Sequence, residues 1–190
     1  TMLTCSRRIV LEAPAGRGKT TTLIQLAAQY VEDDGIGILI ELPAWMISGK
    51  DILEYTAGLA CFRSQGIDAQ ALAKIYDTEH ITFLLNGWNE ISDDYSEKAL
   101  TELQQLERNF PTSGIIVATR THHLTPPLPG AIRMRLLPLN RTQRMKYLKN
   151  VLGDRGDALR SKLDSDVVLD QLTRTPLILS KVVDIFSAGL

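Results

Sequence analysis

The chain has 190 residues, with 21 Lys and Arg against 22 Asp and Glu, and so a formal net charge of −1. That balance excludes a cationic coat able to neutralise many phosphates, so nucleic acid is not an expected partner. No apolar run approaches the roughly 18–20 residues of a bilayer span, so no membrane partner is expected, and the first residues do not read as a secretory signal. Cys5 and Cys61 are too few and too scattered for a disulfide framework and suit a reducing cytoplasm.

The predicted elements alternate. A strand over Arg8–Ala13 runs into a Gly-rich segment and then a helix over Thr20–Val31, with Gly35 as its C-cap. A strand over Ile36–Leu42 follows, then shorter helices over Asp51–Ser64 and Ala69–Tyr76, then a strand over Ile81–Leu85. The stretch Glu97–Phe110 is amphipathic, with Ala99, Leu103, Leu106 and Phe110 on one face, and Pro111 stops it. Strands over Ile115–Ala118 and Ile132–Leu137 flank a Pro-rich loop, Thr121–Gly130. The strand runs are nearly continuous in apolar residues, which predicts burial on both faces. Strand–helix alternation of this kind predicts an α/β fold with a parallel sheet sandwiched by helices.

After Leu137 only helices are predicted, over Arg141–Leu152, Asp157–Leu163, Asp166–Leu172 and Pro176–Phe186. The expected organisation is an α/β core over residues 1–138 and a small helical subdomain over residues 139–190. The last helix places Leu179, Val182, Val183, Phe186 and Leu190 on one face, a stripe expected to await a partner outside this stretch of a longer protein.

The segment Ala13-Pro-Ala-Gly-Arg-Gly-Lys-Thr20, between a strand and a helix, fits the Walker A phosphate loop with Ala13 in its first small-residue position. Gly16 and Gly18 permit the backbone angles that turn successive N–H groups around phosphate oxygens, and the helix adds its positive end. Lys19 is the point charge for the β- and γ-phosphates, and the Thr20 hydroxyl is a Mg²⁺ ligand. Ala15, Arg17 and Thr21 complete the candidate nucleotide-binding stretch, Arg17 as a solvated loop residue and Thr21 either on the α-phosphate or as a helix cap. The guanine-reading Asn-Lys-x-Asp tetrad does not occur, which favours ATP or ADP over GTP.

The third strand continues as Ile81-Thr-Phe-Leu-Leu-Asn-Gly-Trp-Asn-Glu90-Ile91. This series resembles the extended Walker B motif of the NACHT-type signal-transduction ATPases, the STAND class of P-loop proteins. By that resemblance Asn86 falls on the Mg²⁺-coordinating Asp, and Asn89 and Glu90 fall on an acidic pair. Asn86 is neutral and weakens the metal site. Glu90 is the only carboxylate left in the motif and the candidate for polarising the attacking water. Ile115-Ile-Val-Ala-Thr-Arg120 resembles the family's sensor-1 strand, in which the Arg meets the γ-phosphate. Leu172-Thr-Arg-Thr-Pro-Leu-Ile-Leu179 resembles its segment in which a Pro at a helix start packs on adenine, here Pro176. Arg174 replaces the Gly of the plant-type version. His122 and His123 lack companion ligands at metal-binding spacing.

The resemblance implies a P-loop NTPase with strand order 5-1-4-3-2 and a helical lid after the sheet. It implies ATP/ADP with Mg²⁺ as cofactors, a switch function with retained binding and slow hydrolysis, the chain's missing C-terminal domains as partners, and homo-oligomerisation in the ATP state. A vestigial nucleotide site serving as a protein–protein scaffold is the alternative that Asn86 and Asn89 keep open. A phosphotransferase or AAA+ motor lacks a matching acceptor-pocket signature.

Overall fold

The structure is a computed structural model that describes residues 7–121 and 128–189. Cys5, His122, His123 and Leu190, each assigned a reading from sequence, lie outside the described residues. Strand β1 (Arg8–Glu12) precedes helix α1 (Lys19–Glu32), strand β2 (Ile36–Glu41) and helices α2 (Leu42–Ser48), α3 (Ile52–Ala57), α4 (Ala60–Ser64) and α5 (Ala69–Thr78). Strand β3 (Ile81–Asn86), a 3₁₀ turn (Trp88–Glu90), helix α6 (Asp93–Asn109), strand β4 (Gly114–Thr119) and strand β5 (Ile132–Arg135) follow. Helices α7 (Arg141–Leu152), α8 (Arg155–Ser165), α9 (Val167–Leu172) and α10 (Pro176–Ser187) end the order.

The described strands pair as one parallel sheet in the order β2-β3-β4-β1-β5, with β4 between β1 and β3. Read from the other edge, this is the expected 5-1-4-3-2. The expectation of burial on both faces is met in β3, which is buried at every position, and in most of β1 and β4. Because strand side chains alternate, the two faces separate by residue. Val10, Ile38, Ile40, Phe83, Leu85, Ile115 and Val117 join Trp45, Leu72, Tyr76, Leu103 and Leu106 in one core cluster. Their alternating neighbours Ile9, Leu11, Leu84 and Ile116 are buried outside that cluster, as is Leu23 of α1, which packs on β2, β3 and β4.

Strand β5 departs from the expectation. It is an edge strand with most of its positions exposed, and it stops at Arg135, so Leu137 lies outside it and is exposed. Its role is partly electrostatic, since Arg133 ion-pairs with Glu12, a carboxylate only 6% exposed at the end of β1. Helical boundaries also differ, two of them for clear reasons. Helix α2 begins where the Ile36–Leu42 strand was expected to end, because Pro43 in its first turn fits a helix start. The expected Asp51–Ser64 helix is divided into α3 and α4, with Gly58 as the C-cap of α3 and Leu59 as the N-cap of α4.

The residues group into two compact units. One runs to Ala13 and resumes over Lys19–Arg135; the other joins Pro14–Gly18 to Leu136–Leu190. In the second unit α7 is closed by a reciprocal cap: the Gln143 N–H donates to Asn140 Oδ1 and the Asn140 N–H donates to Gln143 Oε1, both at 2.9 Å. Leu148, Leu159, Leu163, Leu179 and Val183 form its buried centre, with Val182 and Phe186 packed against them. Among the described residues, the α10 stripe expected to be unpartnered, Leu179, Val182, Val183 and Phe186, therefore packs with residues of α7 and α8. An amphipathic stripe reports that a face is buried without saying against what.

Candidate functional site

The Gly-rich loop owes its shape to two backbone positions. Gly16 and Gly18 have φ of +72° and +87°, a region in which a Cβ is strained. At Gly16 space is short as well, because a Cβ there would stand 3.1 Å from Leu177 Cβ. The Leu177 N–H donates to the Gly16 carbonyl at 3.2 Å, and Arg17 Nη1 donates to the Arg174 carbonyl at 3.2 Å. Arg17 is thus tied to the loop's helical neighbour rather than simply solvated. Pro176 sits beside Gly18, its Cγ 3.9 Å from the position of a Gly18 Cβ. The loop segment Pro14–Gly18 therefore rests on the first turn of α10. Ala15 is exposed. The Arg174 guanidinium is ion-paired with Asp170 at 2.8 Å, which places it on α9 rather than at the loop.

Lys19 opens α1, and its Nζ donates to the Ala13 carbonyl at 3.1 Å. Burial holds its ammonium below the ordinary lysine value of 10.5, the nearby Arg120 charge adds to that, and Glu90 opposes it. Those three side chains, proposed from separate motifs, are thus within electrostatic reach of one another. Glu90 and Arg120 are exposed, as are Thr20 and Thr21 on the first turn of α1.

Asn86, 8% exposed at the end of β3, is the centre of a small polar network. Its Nδ2 donates to Thr20 Oγ1 at 3.1 Å and to the Glu41 carboxylate at 3.1 and 2.9 Å. Glu41 carries no functional reading from sequence. It lies 45 residues from Asn86 and belongs to no motif, yet Glu41 and Asn86 are paired neighbours at the ends of β2 and β3. The parallel register was the signal that could have found it.

Among the described residues, the buried oxygens of Thr119 and Thr121 and both polar atoms of the Asn89 amide have no hydrogen-bond partner. Orphaned groups of this kind are rare in a folded interior and mark a place where another polar species fits. Among the described residues no cluster of three or more His, Cys, Asp and Glu side chains could hold a metal by protein ligands alone. Thr20 and Glu41 offer hard oxygens, the donor class that Mg²⁺ takes when phosphates and water complete its shell. These residues fit the ion in that partial sense.

Solved structures share this architecture. DnaA from Aquifex aeolicus, in its AMPPCP-bound structure, superposes with a TM-score of 0.56 at 15% identity, covering 94% of this chain and 54% of that one. PCH-2 from C. elegans superposes at 0.51 with 14% identity, covering 80% of this chain and 41% of that one. The fold is that of the P-loop NTPases. The Gly-rich segment lies between β1 and α1, and Asn86 is the last residue of β3. The chain spans about half the length, or less, of the solved structures it matches. No protein-family model matches the chain, and no curated protein matches it in sequence. Among the described residues no helix is long and apolar enough to cross a membrane.

Proposed function

We propose that the chain is an ATP/ADP-binding switch domain of the NACHT-like, signal-transduction kind, with slow hydrolysis. The observation that carries this reading is the seating of Gly16 and Gly18 against Thr175–Leu177. A phosphate loop that shares a hydrogen bond with the Pro176 turn can couple the phosphates at one end of a nucleotide to the base at the other. The AMPPCP held by the DnaA structure supports a nucleotide as the ligand.

The residues divide the work by chemistry. The loop N–H groups around Gly16 and Gly18, with Ala15, Arg17 and Thr21 beside them, hold phosphate oxygens, and Lys19 adds a mobile charge. Thr20 and Asn86 face the metal position. Mg²⁺, when bound, would supply neutralisation of phosphate charge. Glu90 accepts a hydrogen bond from the attacking water, and Arg120 meets charge on the γ-phosphate. Pro176 offers an apolar face to adenine. With neutral Asn86 where a carboxylate is usual, hydrolysis is slow while binding persists. ATP and ADP then bias the Thr175–Leu177 turn differently, and the difference in their affinities for its two arrangements is the energy available for signalling or self-association.

Isothermal titration of the protein with ATP and with ADP, with and without Mg²⁺, tests this reading. Saturable binding that Lys19→Ala weakens supports it, and no binding of either nucleotide overturns it. The scaffold alternative draws on Asn86, whose amide donates where an Asp would accept. Turnover that disappears in Glu90→Gln would count against that alternative.

A further inference from the structure

We propose that Glu41 is the carboxylate of the Mg²⁺ site, standing one strand away from the position where the Walker B Asp would supply it. The proposal rests on the nucleotide-binding reading above. Glu41 and Asn86 are the last paired residues of β2 and β3, so their side chains leave the sheet in the same direction about 4.8 Å apart. The two hydrogens of the Asn86 amide are divided: one goes to Thr20 Oγ1, the other to the two oxygens of Glu41. An ionised carboxylate only accepts, so it fixes which way the amide faces. Turning the amide over would bring its oxygen against Glu41. The negative charge absent from residue 86 is therefore present at residue 41, one amide away from the Thr20 hydroxyl.

Apart from the Asn86 amide, the structural partners a carboxylate usually finds are absent among the described residues. Glu41 is the N-cap residue of α2, but its side chain makes no capping hydrogen bond. Among the described residues no Lys or Arg ion-pairs with it within 4.0 Å. It is exposed, so an ion with its water shell can reach it. What remains is a negative charge one amide away from Thr20, on the first turn of α1. Alone it repels a nucleotide; with a divalent cation between them it attracts. The geometry thus assigns Glu41 opposite effects in the absence and presence of Mg²⁺, which no purely structural role would produce. Glu41 is a positioning and charge-supplying residue, acting through the Asn86 amide or directly on the ion's water shell.

The experiment measures ATP affinity in EDTA and in excess Mg²⁺ for the parent, Glu41→Gln and the double variant Glu41→Gln/Asn86→Asp, with melting curves as the folding check. The expected result is a crossover. Without metal, Glu41→Gln binds ATP as tightly as the parent or tighter. With Mg²⁺ it loses about 10–100-fold of the metal-dependent gain, the range for removing a residue that supports a metal ligand. The double variant regains that gain, because the carboxylate has moved back to residue 86. Should Glu41→Gln fail to fold, Glu41→Ala is read on the same scale. A Mg²⁺-dependent gain that survives in the Glu41 variants overturns the assignment and leaves nucleotide binding intact. A parent that binds ATP in neither condition overturns both readings.

Discussion

The Leu177 amide donates a hydrogen bond to the Gly16 carbonyl at 3.2 Å, and Leu177 Cβ stands 3.1 Å from where a Gly16 Cβ would be. One residue of α10 thus sets both the polarity and the clearance of the Gly-rich loop's first turn. Gly16→Ala meets a left-handed backbone and a filled space together. It should lower stability by about 1–3 kcal/mol, combining the cost of αL for a residue with a Cβ and local overpacking. Thermal denaturation with the parent as reference reads it, and a melting temperature equal to the parent's would show that the loop does not hold this geometry.

Lys19 predicts a pH dependence for ligand binding. Burial and Arg120 hold its ammonium below 10.5 in the free protein. A bound phosphate favours the charged form and raises the value again. Affinity for ATP is then fullest below the free-state value, and it falls as pH rises from that value to the bound one. The decline should begin at a lower pH than an ordinary lysine would give. Lys19→Arg, whose guanidinium stays charged throughout this range, should show no such decline. Parallel titrations across the alkaline range make the comparison.

The centre of the C-terminal unit predicts how the α10 stripe behaves. Leu179 is 1% exposed among Leu148, Leu159, Leu163 and Val183. Leu179→Ala should cost about 2–5 kcal/mol, the usual range for truncating a buried leucine. Phe186 is half-buried, with the Arg155 guanidinium 5.4 Å and the Lys162 ammonium 5.6 Å from its ring centre. Phe186→Ala should therefore cost less than Leu179→Ala. Equal melting temperatures for the parent and Leu179→Ala would return the stripe to the surface.

An ion pair in the same unit predicts acid sensitivity. Hydrogen bonds from Arg144 and then Arg174 hold the Asp170 carboxyl below its ordinary value of 3.8. Arg144 is buried and also donates to Thr173 Oγ1 at 2.9 Å, which joins α7 to the end of α9. A lowered folded value means that the carboxylate's contribution is fully present above 3.8 and is lost as pH falls through the folded value. Asp170→Asn should melt below the parent at neutral pH. The two curves should converge in strong acid, where both side chains are neutral.

Much of this architecture was legible in the residues, for reasons that vary by element. Strands β1, β3 and β4 are central and buried, so their apolar runs announce them. Strand β5 sits at an edge, so its run predicts burial that only part of it needs. Helix α2 was hidden because Leu42 continues the β2 run before Pro43 redirects the chain. The left-handed turns at Gly16 and Gly18 were legible because glycine is the residue that adopts them without strain. Glu41 was not, because its meaning comes from a neighbour on the next strand, and strand pairing leaves no mark in local sequence. The stripe on α10 was read correctly as an apolar face, but its cover lies in α7 and α8, which the pattern of one helix does not contain.

The central claim is that the loop from Gly16 to Thr20 binds a nucleotide through Lys19. Isothermal titration of the parent and Lys19→Ala with ATP and ADP, at one pH and with melting curves to confirm folding, tests it most directly. The account predicts saturable binding by the parent and a loss of about tenfold or more in Lys19→Ala, the effect of removing one charged hydrogen-bond donor. No heat of binding from a folded parent, or equal affinity in the two proteins, would contradict it.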